Sequence, residues 1–296
     1  MDTLLRAIVA PGFFTNAAVH TALLVGGGAA LVSGVVGVFT VIRGQSFAGH
    51  ALADVSSSGG ALAFLLGINP LFGFLGMAAV AAGGMELAGV RRTRGRDLAT
   101  GVVFGAGLAL AALFLYLDSV FTSTTGAAIT VMFGSMFVIP PSTAILAAAV
   151  GVIALVIVAL LYRPLLLSSV SRELAVVRGV RVGLTGALYM LVLALAVSLS
   201  AITVGAILST ALLIGPAATA LGVTRRPGGA VALSALIALG TTWVGILLAY
   251  DSGAWTPQHG WPVSFFIVTL IMGCYLGLQR RRADGSDRSG ARTEEG

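Results

Sequence analysis

No lysine occurs anywhere in these 296 residues, and there is a single cysteine, Cys274. The missing lysine excludes a Walker A loop, whose lysine reaches the terminal phosphates of a bound nucleotide. If the chain takes part in an ATP-driven process, the ATPase is on another chain. The lone cysteine sits in an apolar run, which excludes an intrachain disulfide and a thiolate metal cluster. It reads as a small packing or lipid-facing residue. Charge is scarce as well. Charged residues make up 9% of the chain, against roughly a quarter in soluble domains.

Apolar residues fill the space. They make up 57% of the sequence, mean hydropathy is +1.02, and apolar runs near the length of a membrane crossing recur along the chain. The expected fold is all-α: a polytopic transmembrane helical bundle. The net charge of +6 is carried by arginine alone, and in such a chain it reads as topology rather than nucleic-acid binding. Residues 1–16 read as an interfacial segment without a clear signal peptide, with His20 at its edge. About nine spans are expected in 17–280, near 17–42, 46–66, 70–90, 98–117, 142–162, 183–200, 202–223, 229–250 and 263–278. A break near residue 202 would reduce them to eight. An apolar piece at 127–139 is too short to cross. Residues 281–296 read as a disordered cytoplasmic tail. Arginine clusters at 43, 91–96, 163–181, 225–226 and 280–282 set the N-terminus outside and the C-terminus in the cytoplasm.

One stretch breaks the apolar pattern. His50 and Asp54 stand four residues apart within 46–66, so a helix puts them on one face about 6 Å apart at Cβ. Ionisable groups inside a membrane are costly and mark functional sites. Imidazole plus carboxylate is also a ligand set for divalent transition metals. The plain alternative is a hydrogen-bonded pair that pins helices together. Ser56, Ser57, Ser58, Gly59 and Gly60 follow, small enough for another backbone to approach closely. Glu86 is expected near the cytoplasmic surface beside an arginine. Asp97 is expected to cap the fourth helix. Asp118 and Asp251 are expected as solvated acids at helix ends, and Pro216 as a helix kink.

Several blocks resemble the membrane permeases of ABC-type zinc and manganese importers. GHALADVSSSGGALAFLLG, residues 49–67, resembles the family's GDALSHAxLPGxALAFLLG, with the polar pair exchanged: His50 stands where the family usually has Asp, and Asp54 where it has His. The family's proline is replaced by Ser58. RDLATGVVF (96–104), MFGSMFV (132–138), SRELAVVRGV (171–180), VGAILSTALLIGPAATA (204–220) and the final polar loop with the last span follow in family order. The resemblance covers about 17–280.

It implies a permease subunit of the cell membrane that is not itself an enzyme and holds no permanent cofactor, with Zn²⁺ or Mn²⁺ as the transported substrate. It implies cytoplasmic ABC ATPase subunits, an extracytoplasmic metal-binding protein and a second permease copy or paralogue as partners, in a lipid membrane and without nucleic acid. It makes His50 and Asp54 a transient metal site. It also makes 163–181 the segment that docks on the ATPase, with Arg172, Glu173, Arg178 and Gly179 as its coupling residues. Other classes compatible with the residues are a proton-coupled secondary metal-cation transporter, with the pair as proton relay, and a non-transporting membrane scaffold.

Overall fold

The computed structural model describes residues 12–89, 93–121, 126–224, 226–255 and 260–291. Among them the chain forms eleven helices: α1 (Ala17–Ile42), α2 (Ser46–Leu65), α3 (Pro70–Gly89), α4 (Thr93–Phe121), α5 (Gly126–Phe133), α6 (Pro141–Val170), α7 (Arg172–Val177), α8 (Val182–Val204), α9 (Ala206–Val223), α10 (Pro227–Trp255) and α11 (Val263–Ala291). No strand is found among the described residues. A membrane interior cannot satisfy exposed backbone groups, so a chain of this composition closes its hydrogen bonds within helices.

Seven helices carry a stretch long and apolar enough to cross a membrane: α1, α3, α4, α6, α8, α9 and α10. In α11 the apolar part is the shorter Val263–Gln279. The remaining long helix, α2, is too polar to qualify, and it is largely enclosed. Every residue from Ala51 to Ala61 is buried, Ser56, Ser57 and Ser58 included. Each of these serines returns its hydroxyl to a carbonyl one turn back, on Ala53, Asp54 and Val55 respectively. Their polarity is therefore satisfied inside the helix, and their small size remains available for packing.

Close packing is what holds α2 in place. It lies along α4 and α3. Gly59 and Gly73 abut backbone to backbone: a Cβ on either would collide with the carbonyl oxygen of the other. Gly60 lies under the Phe74 ring, and Gly107 of α4 under Val55. Without a hydrophobic drive between helices in lipid, such contacts supply the association through dispersion. The central core is built from α1, α2, α3, α6 and α8 around Phe39, Leu52, Leu71, Phe74, Leu165, Tyr189 and Leu193.

The entry into α2 is a tight reversal. Gln45 N donates to Thr40 O and Gly44 N to Val41 O. Gly44 sits at φ +63, the left-handed position that ends a helix in a Schellman motif. Farther on, Gly205 separates α8 from α9, and it presses against the Met132–Phe133 backbone at the end of α5. The interruption expected near residue 202 is therefore a break between two helices that both remain long and apolar enough to cross.

Several elements differ from expectation. Residues 163–181, expected as one docking segment, divide between the end of one helix and a second short one. α6 continues through Pro164 to Val170, α7 follows, and α8 starts at Val182. α4 begins at Thr93, so Asp97 lies inside the helix rather than at its cap. α11 runs on to Ala291, over most of the stretch whose composition predicts disorder. Extending an existing helix costs far less than nucleating one. Of the expected N-terminal segment, residues 1–11 lie outside the described residues. Phe13 is buried, and Asn16 caps α1 by accepting from Ala18 N.

Candidate functional site: the His50–Asp54 pair

The two polar residues of α2 come together as their spacing requires. His50 Nε2 lies 3.4 Å from Asp54 Oδ2. The side chains are unequally placed: that of His50 is 40% exposed and that of Asp54 only 11%. The pair therefore has one open side. The far ring nitrogen, His50 Nδ1, is 2.8 Å from Thr210 Oγ1 on α9. The ring also lies 5.7 Å from that of Phe104 on α4. Three helices thus fix the imidazole, through a hydrogen bond, an aromatic wall and its own backbone.

The separation is compatible with two chemistries. An N–H···O bond ordinarily measures about 2.7–3.2 Å, so 3.4 Å is long for a structural hydrogen bond. Two donors on one tetrahedral first-row ion, with bonds near 2.1 Å, stand about 3.4 Å apart. With Nδ1 bonded to Thr210, Nε2 can carry the free lone pair, the arrangement metal-ligating histidines usually adopt. The remaining positions of such an ion would fall to water or to groups from outside this chain. Among the described residues no cluster of three or more His, Cys, Asp or Glu side chains is formed. A two-ligand site of this kind binds loosely, which suits passage rather than storage.

Thr210 was not marked by the sequence. It lies in ILSTALLIGPAATA, where nothing distinguishes it from Ser209 or Thr219. The backbone does: Ser209 and Thr219 return their hydroxyls to local carbonyls of α9, whereas Thr210 meets the imidazole. Pro216 lies buried inside α9, below this contact.

The other ionisable residues stand elsewhere. Glu86 is half-buried beside a cavity of about 280 Å³ between α3 and α8, away from the pair. The side chains of Arg91–Arg96, its expected partners, lie outside the described residues. Asp118 and Asp251 are not solvated helix ends. Both are buried, within helices that run several residues past the expected ends. His20 is exposed at the start of α1, with Nε2 2.8 Å from Phe14 O. Cys274 is exposed on α11.

The four residues singled out as coupling residues gather around α7 and are all exposed. Ser171 caps this helix by accepting from Leu174 N. Arg178 is the C-cap, and Gly179, at φ +77, ends the helix as Gly44 ends α1. Gly179 therefore has a backbone role. Between the arginines, Leu174, Val176 and Val177 are 52%, 60% and 85% exposed, and Ala175 alone is buried.

A bundle that packs long apolar helices against the more polar α2 is the architecture of a polytopic membrane protein. The chain belongs to the ABC 3 transport family, whose model matches residues 14–276. The family resemblance seen in the 49–67 and 204–220 blocks is borne out, and the chain is a multi-pass protein of the cell membrane. The manganese import system permease protein ScaB of Streptococcus parasanguinis is 33% identical over 239 residues, covering 80% of this chain and 82% of that protein. The high-affinity zinc uptake system membrane protein ZnuB of Haemophilus influenzae is 29% identical over 237 residues, covering 79% and 89%. The solved structure of PsaBC from Streptococcus pneumoniae in complex with Fab matches the fold with a TM-score of 0.78 at 24% identity, over 94% of this chain and 95% of that one.

Proposed function

We propose that this chain is the permease subunit of an ABC importer that carries manganese or zinc into the cell, with ATP hydrolysed by separate cytoplasmic subunits. The observation that carries the reading is the 3.4 Å separation of His50 Nε2 and Asp54 Oδ2, with the far nitrogen of the ring held by Thr210. The spacing suits one divalent first-row cation, and the exposed face of His50 gives it a way in and out. Relatives named for manganese and for zinc import support the substrate class. Imidazole and carboxylate accept either ion, and affinity alone does not select the physiological one.

In this reading the nine long helices, α1–α4, α6 and α8–α11, all cross the membrane. The N-terminus is outside and the basic turns face the cytoplasm. α7 then lies on the cytoplasmic face. Its exposed Leu174, Val176 and Val177, flanked by Arg172, Glu173 and Arg178, form a surface for the ATPase. Apolar anchors within a charged rim are the usual make-up of a specific protein interface. An extracytoplasmic metal-binding protein delivers the ion, and a second permease copy or paralogue completes the pathway.

The experiment is reconstitution in proteoliposomes with the co-purified ATPase, followed by uptake of Mn²⁺ and Zn²⁺. ATP-dependent accumulation of either ion supports the importer. Accumulation driven by a proton gradient without ATP would replace it with a secondary transporter. No flux under either condition would leave a scaffold.

A further inference from the structure

We propose that Arg43 is the joint through which α7 moves the helix bearing the metal pair, an inference that rests on the permease reading above. Two chains of contact meet at this residue. On one side it is the C-cap of α1, and the turn of Gly44 and Gln45 runs directly into α2. His50 lies four residues into that helix, about 6 Å along its axis at 1.5 Å per residue. On the other side Arg43 Nη1 donates to Ser168 Oγ at 3.0 Å. Ser168 is three residues before Ser171, which both ends α6 and caps α7. α7 thus begins about one helical turn beyond Ser168, and His50 stands about one turn into α2, past the Gly44–Gln45 turn.

The guanidinium has a fixed seat. It lies over the Tyr189 ring, 5.2 Å from the centroid. Tyr189 is fully buried in α8. Its hydroxyl donates to Val36 O at 3.2 Å and lies 2.7 Å from Thr40 Oγ1. The ring is therefore locked to α1 and α8, while the cation resting on it reaches across to α6. Arginine suits this place: its planar group stacks on an aromatic face and still directs N–H donors sideways, which an ammonium cannot do in the same way. It also sits at the C-terminal end of α6, where the helix dipole favours a cation. Motion is carried between distant sites by packed and hydrogen-bonded elements in contact. Here a shift of α7 reaches Ser168 through the last turn of α6, reaches Arg43 through one hydrogen bond, and reaches α2 through the turn. Arg43 is a positioning residue, and it touches no metal ligand in this role.

The test uses the full permease with its ATPase in nanodiscs and Mn²⁺ as probe. Ser168→Ala, Arg43→Lys and Arg43→Met are each examined for Mn²⁺ affinity, ATPase retention on the tagged permease, and maximal Mn²⁺-stimulated ATP hydrolysis and uptake. The joint predicts a split: in Arg43→Met the maximal rate falls about tenfold while Mn²⁺ affinity and ATPase retention change less than about twofold. Ser168→Ala loses several-fold in maximal rate, and Arg43→Lys recovers part of the loss. If Arg43→Met does not assemble, Ser168→Ala decides, since it removes one hydroxyl and leaves the arginine. A parental maximal rate in both Ser168→Ala and Arg43→Lys overturns the proposal, as does a loss confined to Mn²⁺ affinity. A parental permease that retains no ATPase overturns the permease reading instead.

Discussion

His50 of α2 and Thr210 of α9 meet at 2.8 Å, ring nitrogen to hydroxyl oxygen, across 160 residues of sequence. The contact engages Nδ1 and ties α2 to α9. With Nδ1 engaged, Nε2 faces Asp54, and the pair presents one nitrogen and one carboxylate oxygen toward the open side.

Replacing Thr210 by valine keeps the shape and removes the oxygen. Partners that orient a metal-ligating histidine commonly contribute about 10–100-fold in affinity. Thr210→Val is expected to weaken Mn²⁺ binding within that range, and Thr210→Ser to restore it. Titration of purified permease with Mn²⁺ checks both. Equal affinity in the valine and serine variants would remove Thr210 from the site.

The Gly59–Gly73 contact makes a prediction about stability. A methyl at position 59 would meet the Gly73 carbonyl oxygen and come within 2.6 Å of Met77 Cβ. α2 and α3 must then separate, at a cost of about 1–3 kcal/mol. A methyl at Gly76, on the same helix α3, would meet no atom within 4 Å, and alanine there should be neutral or slightly favourable. Thermal unfolding in detergent is expected to show a lowered midpoint for Gly59→Ala and an unchanged or raised one for Gly76→Ala.

Charge reversal at Glu173 tests the α7 surface. Glu173 is exposed in the first turn of α7. Losing a favourable helix-terminus charge costs only about 0.3–1 kcal/mol, so the fold should survive. A reversed charge at an interface repels or forfeits its partner. Glu173→Arg is expected to lose most of the ATPase in a pull-down while eluting as the parent does in size exclusion. Full ATPase retention would move the docking surface elsewhere.

Orientation is testable independently. In a Cys274→Ser background, single cysteines at Arg94 and Arg226 are expected to react with a membrane-impermeant maleimide only after the cells are opened. Strong labelling from outside at either position would contradict the nine-crossing arrangement.

Much of this was legible in the sequence because membrane helices declare themselves by local composition. Apolar runs located α1, α3, α6 and α10 to within a few residues at their starts, and the i,i+4 spacing brought His50 and Asp54 together. α2 was legible for the opposite reason, as a polar run among apolar ones. What depends on contacts between distant segments was not legible. Thr210 looks like any hydroxyl residue of α9. Asp118 and Asp251 are buried within α4 and α10, and composition near a helix end does not state where the last turn falls. The expected span closed near residue 162, yet α6 passes through Pro164 and ends at Val170. Neighbouring helices can satisfy the backbone group that a proline frees inside a membrane bundle.

The most direct measurement is uptake of Mn²⁺ and Zn²⁺ by His50→Ala, Asp54→Ala, the double variant and the exchanged variant His50→Asp with Asp54→His, all in the reconstituted complex. If the two side chains ligate the transported ion, each single alanine abolishes most uptake. The double variant is then little worse than either, because removing one of two ligands already destroys the site. The exchanged variant keeps substantial uptake with a changed preference between the two ions. Well-folded alanine variants, expressed at the parental level and transporting both ions at the parental rate, would contradict a metal site at His50 and Asp54.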